Sequence, residues 1–342
     1  MRGLRSALIA GLTAVLVAAV ASPVVAQTRS KSQRPAPSTE IRIGVGHGIG
    51  FLPLYIAQDL KLLEKHAKAA GIASRISIQR YNTAAPLRQA VAKGDVTVGA
   101  YGLSTLLLAR DTSKDMVVVS GLTTLPLVLL TARPAFRSLS DLRAQDRVAV
   151  PLFSAPQTAY LRMHADKTFF GAWNRLRPQV TAMPHQEAVD ALTAGKDNIA
   201  AYFSSPPFTQ MALKDPKVRA LLSSEDIMGG KTSFLVMAAS RDAMATQPML
   251  AEVLSKAIDE ASAIIRNDPR RAAIMWLKYE PSSTLDARAV EAVLRDLKDD
   301  FGSGIYGVEA TAAVMSRDGR LKNAPGSWKD VVAPVLAAGS GS

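Results

Sequence analysis

The chain has 342 residues, 48% hydrophobic and 20% charged, which is the composition of an ordinary globular protein long enough for one large core or two lobes. It contains no cysteine, and this excludes disulfides, thiolate nucleophiles, cysteine metal ligands and a lipid attached to an N-terminal cysteine. The net charge of +12 is spread along the chain without interleaved aromatic residues, so nucleic-acid binding is disfavoured and an anionic solute is weakly favoured.

The N-terminal stretch has the layout of a cleavable signal peptide. Arg2 and Arg5 precede an uncharged apolar run at 7–21, and Val24 and Ala26 supply small residues before a polar segment. A membrane anchor is the alternative, but the apolar run is short for a bilayer span. The sequence therefore predicts residues 1–26 as a signal peptide cleaved after Ala26, export to the periplasm, and no membrane insertion afterwards.

The remainder of the chain reads as an α/β protein. Residues 27–39 are rich in proline, serine and basic residues and predict a disordered linker. Beyond it, strand and helix patterns alternate and end in a helical tail, which is the order expected of an α/β fold. Strands are predicted at residues 41–45, 75–81, 96–100, 116–120, 125–131, 147–150, 180–183 and 233–239, and the main helices at 51–70, 250–266, 269–278 and 287–299.

One pattern occurs twice in the chain. Residues 89–105 read as the end of a helix, a glycine stop, an alternating strand and a small polar loop. Because ligands bind beyond the carboxyl ends of strands in open α/β sheets, two such units predict a two-lobed clamp. The second copy follows about 101 residues later and pairs Gly94 with Gly195, Val98 with Ile199, Ala100 with Ala201, Tyr101 with Tyr202, and Ser104 with Ser205.

Known catalytic, metal and cofactor motifs are incomplete in this sequence. Residues 44–49 lack the third glycine of the dinucleotide fingerprint, and residues 102–106 lack the final glycine of a nucleophile elbow. The four histidines are not spaced as metal ligands. His47 lies between glycines at the end of a strand, and it is either a pocket residue or a polar turn residue. We therefore predict no catalytic residues, no metal and no cofactor.

Small hydroxyl-bearing residues recur where helices begin. They are Ser104 with Thr105, the stretch 154–158, and Ser204 with Ser205. Helix N-termini carry unpaired N–H groups and a partial positive charge, so several of them facing one cleft would hold a small anion. Each one taken alone is more simply an N-cap. Their position after both copies of the repeat favours the binding interpretation.

The order of these motifs resembles the periplasmic solute-binding proteins of nitrate/sulfonate/taurine-type ABC importers, which are related to thiamine-pyrimidine-precursor binding proteins. Two departures concern ligand identity: Leu60 and Lys61 stand where the family usually has a glycine, and the loop 151–158 lacks the Gly-Ser-Thr run of sulfonate binders. The resemblance covers nearly the whole mature chain and is carried by FLPLYIAQDLKLLEKH (51–66), AVAKGDVTVGAYGLSTLLLA (90–109), RSLSDLRAQDRVAVP (137–151), AVDALTAGKDNIAAYFSSPPF (188–208), FLVMAASRDAMATQPMLAEVLSKAIDEA (234–261) and NDPRRAA (267–273).

The resemblance implies an α/β type II periplasmic binding protein fold, with two lobes joined by two crossing strands and a ligand cleft between them. Lobe I would comprise 40–130 plus 236–342 and lobe II 131–235, with crossings near 130–133 and 234–238. The implied protein is a non-catalytic receptor that captures a small, anionic organic solute, a sulfonate or carboxylate, by hinge closure and delivers it to an ABC permease and its ATPase. An exported enzyme of the pyrimidine-precursor-related family and a ligand-sensing subunit for a membrane receptor are the alternatives.

Twelve residues are the predicted ligand contacts. Lys231 is the best candidate for neutralising the charge of an anion, although a solvated loop lysine is the simpler interpretation. The predicted contacts are His47, Phe51, Tyr101, Gly102, Ser104, Thr105, Ser154, Gln157, Ser204, Ser205, Lys231 and Thr232.

Overall fold

The computed structural model describes residues 39–342, apart from 73, 83, 154, 169–172, 282, 318, 339 and 340. The predicted signal peptide and the predicted linker up to residue 38 lie outside the described residues. Thr39, the last residue of that linker, is described and begins the first strand. Within the described part, none of the helices combines the length and apolar character needed to cross a bilayer.

Ten strands and fourteen α-helices alternate along the described chain. The strands are β1 Thr39–Val45, β2 Ser74–Arg80, β3 Val98–Gly102, β4 Met116–Thr123, β5 Val128–Thr131, β6 Arg147–Val150, β7 Val180–Ala182, β8 Ile199–Ser204, β9 Arg219–Ser223 and β10 Leu235–Ser240. The helices are α1 Leu52–Asp59, α2 Leu62–Ala69, α3 Ala84–Ala92, α4 Leu103–Thr112, α5 Pro156–Thr168, α6 Trp173–Leu176, α7 His185–Ala194, α8 Phe208–Ala212, α9 Ser224–Met228, α10 Arg241–Thr246, α11 Leu250–Asn267, α12 Pro269–Tyr279, α13 Ala287–Asp296 and α14 Val308–Arg317.

The strands form two five-stranded mixed sheets with the same plan. The first has the order β2-β1-β3-β10-β4 and the second the order β7-β6-β8-β5-β9. In each sheet the first three strands are parallel, and the fourth (β10 or β5) is antiparallel to both of its neighbours. The predicted α/β fold with two similar sheets is confirmed.

The sequence repeat occupies equivalent places in the two sheets. Gly94 and Gly195 both end a helix with positive φ, 77° and 65°, a conformation that favours glycine. The strands that follow, β3 and β8, each lie third in their sheet. The repeated pattern therefore marks one structural unit used twice.

The chain passes between the sheets twice. Strand β5 belongs entirely to the second sheet, so the first passage lies at 124–127, before the predicted crossing at 130–133. Strand β10 lies inside the first sheet, and the return passage is at 229–234, before the predicted 234–238. The apolar run 125–131 continues through the first passage without a break, and for this reason hydrophobic pattern alone does not locate it.

A left-handed residue divides the predicted helix at 51–70. Lys61 has φ 52° and ψ 37°, and the chain forms two helices, α1 and α2, on either side of it. Glycine is the residue that adopts this conformation without steric cost. The structure thus has a glycine-like conformation at the place where the resemblance expects glycine and this chain has lysine.

Each sheet has its own core. The first sheet packs against α1, α11 and α12 through residues such as Ile43, Ile56 and Val119. The second sheet has a core around Leu129, Val148 and Phe203. Val314 of helix α14 packs into this second core, and Phe234 contacts the cores of both sheets. The return passage is therefore anchored on both sides.

We expect Gly121→Ala to destabilise the protein by about 1–3 kcal/mol, because overpacking a close backbone contact costs this much. Gly121 of β4 donates to Ser303 O at 2.9 Å, and an added methyl group would lie 2.0 Å from Gly304 O. The matched control is Gly302→Ala, where the nearest atom is Asp259 Oδ1 at 4.0 Å. Urea denaturation of both variants measures the difference. Equal stability would mean that the segment 303–304 does not pack against β4.

Candidate functional site

A cavity of about 360 Å³ lies between elements of the two sheets. Its wall on the side of the first sheet is formed by the loop after β1 and the end of α12. Its wall on the side of the second sheet is formed by the starts of α7 and α8. The lining residues are His47, Gly48, Trp276, Glu280, Ser283, Thr284 and Leu285 on the first side, and Gln186, Pro207, Phe208 and Met211 on the second.

A buried carboxylate organises the first wall. Glu280 Oε1 accepts hydrogen bonds from the Gly48 N–H at 2.8 Å, from Arg80 Nη2 at 2.7 Å and from Tyr55 Oη at 3.2 Å. Its side chain is only 11% exposed. Arg80 also donates to the Tyr279 carbonyl. One carboxylate thus joins the loop after β1, helix α1, strand β2 and the end of α12.

His47 is held in one tautomer by this network. Arg80 Nη2 lies 2.8 Å from His47 Nδ1. A guanidinium only donates hydrogen bonds, so Nδ1 accepts and the neutral ring carries its hydrogen on Nε2. The side chain is 46% exposed and lines the cavity. The predicted pocket residue at His47 is therefore placed where its Nε2–H is available to an acceptor.

Aromatic stacking supports the same wall from behind. The rings of Tyr55 and Tyr279 stack with centroids 4.6 Å apart, and Arg80 lies 5.4 Å from the Tyr55 centroid. Burial, reinforced by the neighbouring Glu280 carboxylate, raises the pKa of Tyr55. Tyr55 therefore remains protonated near neutral pH, and its hydroxyl hydrogen lies between two acceptors, Gly46 O at 3.0 Å and Glu280 Oε1 at 3.2 Å.

The second wall is aromatic and backed by a histidine. His185, the first residue of α7, stacks on Phe208 with ring centroids 4.7 Å apart and planes at 7°. Its Nδ1 is hydrogen-bonded to Tyr202 Oη, and its Nε2 lies 3.3 Å from Ser205 Oγ. Burial lowers the pKa of His185 to about 4, so the ring is neutral near pH 7.

The predicted helix N-termini of the two sheets meet at one point. Gly102 precedes α4, and a methyl group added to it would lie 3.8 Å from Pro156 Cγ at the start of α5. Ser104 and Thr105 are half-buried in the first turn of α4. The start of α4 thus lies close to the start of α5, and ligand binding by these residues stays a prediction.

Two further predicted contacts lie near the same junction. Gln157 in the first turn of α5 is only 3% exposed. Thr232 in the return passage is buried, and its Oγ1 lies 3.4 Å from Tyr160 Oη. The predicted contact Ser154 lies outside the described residues.

Three other predicted contacts have side chains that the fold itself uses. Phe51 is buried in the core of the first sheet, and Tyr101 packs among Leu87 and its apolar neighbours. Ser204 Oγ donates to Val128 O at 2.8 Å and pairs with Thr209 Oγ1 at 2.7 Å. Phe51, Tyr101 and Ser204 lie in strands or apolar runs of the sequence. The pattern there does not predict whether a side chain faces the cleft or the core.

Lys231 is also occupied. Its Nζ donates to Asp299 O at 3.0 Å and lies 3.3 Å from Asp300 Oδ1. The structure therefore places it on the acidic segment after α13 rather than against the cavity.

Sequence reasoning missed most of the first wall. Arg80 lies 200 residues before Glu280, and no local motif joins β2 to the end of α12, where Trp276 and Glu280 lie. On the second wall, Phe208 follows the repeat directly, and His185 begins the repeated helix. A polar residue at that helix start was the available signal. Within the described part of the chain, no group of three His, Asp or Glu side chains is arranged as metal ligands.

Comparisons with known proteins detect the fold. No family model matches the chain, and no curated protein matches it by sequence. The crystal structure of the periplasmic aliphatic sulphonate binding protein SsuA from Escherichia coli matches with a TM-score of 0.70, at 18% identity, over 87% of this chain and 99% of that one. The alkanesulfonate-binding protein SsuA from Xanthomonas axonopodis pv. citri, bound to MOPS, gives 0.65 at 17% identity, over 88% and 98%.

A more distant neighbour is the periplasmic nitrate-binding protein NrtA from Synechocystis PCC 6803, with a TM-score of 0.52 at 12% identity, over 71% of this chain and 67% of that one. The chain has the periplasmic binding protein fold. The fold resemblance predicted from the sequence is thereby confirmed, and these neighbours are named as solute-binding proteins rather than enzymes. Identities this low carry no information about the ligand of this chain.

We expect Glu280→Gln to destabilise the protein by about 1–3 kcal/mol, because it removes the charge that Arg80 and two other donors share. The matched control is Glu252→Gln, whose exposed i,i+4 pair with Lys256 contributes about 0.3–0.5 kcal/mol. Guanidinium denaturation midpoints measure both effects. A loss for Glu280→Gln no larger than that of the control would contradict the role given to this carboxylate.

We expect the stability of the folded protein to fall at acid pH because of His185. Its folded pKa is lowered to about 4 from an ordinary value of 6.5. Below pH 6.5 the unfolded chain therefore binds a proton that the folded chain does not, and stability falls until about pH 4. The full shift corresponds to about 3 kcal/mol. The measured difference in free energy of unfolding between the protein and His185→Gln should therefore shrink by this amount between pH 7 and pH 4. Parallel curves would refute it.

Proposed function

We propose that this protein is a periplasmic substrate-binding protein of an ABC importer that captures a small anionic organic solute, a sulfonate or a carboxylate. Residues 39–124 with 234–342 form its first lobe and residues 125–233 its second. The lobes close on the solute, and the closed form delivers it to a membrane permease and its ATPase. The observation that carries this proposal is the cavity of about 360 Å³ lined by residues of both lobes.

The size and lining of the cavity favour an organic solute. Small-molecule sites usually have volumes of roughly 300–1,000 Å³ and a largely apolar lining with a few polar groups. Here Phe208, Met211, Trp276 and Leu285 supply apolar surface, and His47 and Gln186 supply polar groups. A bare inorganic anion would leave this apolar surface without a partner. A sulfonate or carboxylate with a short organic group would cover both kinds of surface.

Hydrogen-bond donors near the cleft favour a negative charge on the solute. The Nε2–H of His47 is free of the Arg80–Glu280 network, and an imidazole N–H is a good donor to an anionic oxygen. The first turns of α4 and α5 approach each other at Gly102 and Pro156. Leu103 N–H and Thr158 N–H already donate to backbone carbonyls, and the remaining N–H groups of these turns, with the helix dipoles, give that point a partial positive charge. The basic balance of the whole chain adds a field of the same sign.

The fold neighbours support the receptor class. Two of them are named for binding alkanesulfonates or aliphatic sulphonates, one is bound to MOPS, and another is named for nitrate. A sensing subunit for a membrane receptor would use the same closure, so the cavity supports both roles equally. We prefer import because two further fold neighbours are named as components of an ABC-type import system or an ABC transporter.

Binding should be detected by thermal melting of the mature chain, residues 27–342, against alkanesulfonates, aliphatic and aromatic carboxylates, nitrate and neutral pyrimidines. A ligand at a hundredfold excess over Kd stabilises the native state by about 2.7 kcal/mol and raises the melting midpoint by several degrees. We expect a shift with one of the organic anions. Isothermal titration calorimetry then gives its Kd.

The cavity is tested by Met211→Trp, which fills it from the second lobe and should weaken binding at least tenfold. The control is Met249→Trp, an equal change at a residue that is 37% exposed outside the cavity. Equal binding by both variants would place the ligand elsewhere. A shift caused only by a neutral heterocycle would refute the anionic solute and keep the receptor, whereas turnover of a bound solute would refute the receptor.

A further inference from the structure

Three polar groups form a chain behind the aromatic wall of the second lobe. Tyr202 Oη contacts His185 Nδ1, and His185 Nε2 lies 3.3 Å from Ser205 Oγ. Tyr202 is fully buried, and Ser205 is 8% exposed. Phe208 stacks on the His185 ring and fixes its plane. All four residues come from β8 and from the starts of α7 and α8.

The buried tyrosine determines the direction of the hydrogen bonds. Within the described part of the chain, His185 Nδ1 is the one hydrogen-bond partner of Tyr202 Oη. A buried hydroxyl hydrogen without an acceptor bears a desolvation penalty, so Tyr202 donates to Nδ1. The neutral imidazole then carries its hydrogen on Nε2 and donates to Ser205 Oγ. The opposite direction would leave the tyrosine hydrogen unpaired.

Ser205 consequently has a hydrogen left to donate. Its oxygen accepts from His185, and its own O–H has no acceptor among the described residues. Pro207 and Phe208, which follow Ser205 by two and three residues, line the cavity. The hydroxyl of its neighbour Ser204 differs, because it donates to Val128 O and pairs with Thr209 Oγ1. Ser205 is thus the hydroxyl of this pair whose hydrogen has no acceptor among the described residues, and it lies two residues before Pro207, which lines the cavity.

We propose that the chain Tyr202–His185–Ser205 holds the Ser205 hydroxyl as a hydrogen-bond donor toward the cleft. It thereby selects solutes that present an acceptor oxygen, such as a sulfonate or a carboxylate. His185 is a positioning residue in this scheme, since it acts on the solute through Ser205. The inference rests on the proposed receptor function and specifies which chemical group of the solute faces the second lobe.

The same geometry argues against an enzyme. A serine nucleophile is activated when an unprotonated imidazole nitrogen accepts its proton. In this chain that nitrogen, Nε2, carries a hydrogen and donates to the serine. Ser205 and His185 therefore resemble a catalytic pair in distance but have the opposite direction of proton donation.

The direction is tested without any solute by NMR of the mature protein labelled with ¹⁵N at histidine. With four histidines in the chain, the signals of His185 are assigned by their loss in His185→Gln. The expected result near pH 7 is a protonated Nε2 and an unprotonated Nδ1. The reverse tautomer would overturn the proposal whether or not a ligand is known.

The effect on binding is tested with Tyr202→Phe, which removes the donor and lets the His185 tautomer and the Ser205 hydroxyl reverse. We expect the NMR signature to change to a protonated Nδ1, and the affinity for the sulfonate or carboxylate to fall about tenfold or more. The matched control is Tyr101→Phe, the same change at the equivalent position of the repeat, which should alter neither. Circular dichroism melting confirms that both variants are folded.

The outcomes separate the two proposals. An altered tautomer with unchanged affinity in Tyr202→Phe would overturn the role of Ser205 in binding and leave the receptor intact. The expected tautomer in a protein that binds no solute of the panel would overturn the proposed function. The expected tautomer together with selective loss of anion affinity supports both.

Discussion

The position of one antiparallel strand in each sheet governs the rest of the structure. Because β10 is inserted between β3 and β4, the chain must return to the first sheet after building the second. Strand β5 follows β4 of the first sheet along the chain, and it lies between β8 and β9 of the second sheet. The two sheets are therefore joined twice, and the carboxyl ends of their parallel strands lie beside the passages. A double connection of this kind permits hinge closure while preventing the lobes from separating.

The two walls of the cleft obtain rigidity by different means. On the first side, the buried carboxylate of Glu280 accepts hydrogen bonds from three elements, and its negative charge is balanced by Arg80. On the second side, no charge is used: a tyrosine, a neutral histidine and a serine form a directed chain covered by Phe208. Hydrogen bonds between buried polar groups favour one arrangement, since the alternatives leave more groups unpaired. Both walls are therefore held in place before a solute arrives.

The sequence predicts the fold well because the fold depends on local patterns. Glycine stops at Gly94 and Gly195, alternating strands and amphipathic helices are all visible in short windows, and the repeat shows that they form two similar units. The cleft is harder to predict, since Arg80 and Glu280 are 200 residues apart and are joined only by the tertiary structure. Alternation in a strand also leaves open which face meets the cleft, and Tyr101 turned out to face the core.

The repeat itself explains why only one lobe has the polar chain. Helices α3 and α7 begin at equivalent positions, yet the first copy has Ala84 where the second has His185. Both tyrosines are buried, but Tyr101 packs among apolar residues with no hydrogen-bond partner for its hydroxyl among the described residues, whereas the hydroxyl of Tyr202 contacts an imidazole. A single residue difference thus gives the second copy a hydrogen-bond acceptor for its tyrosine and, through it, an oriented serine.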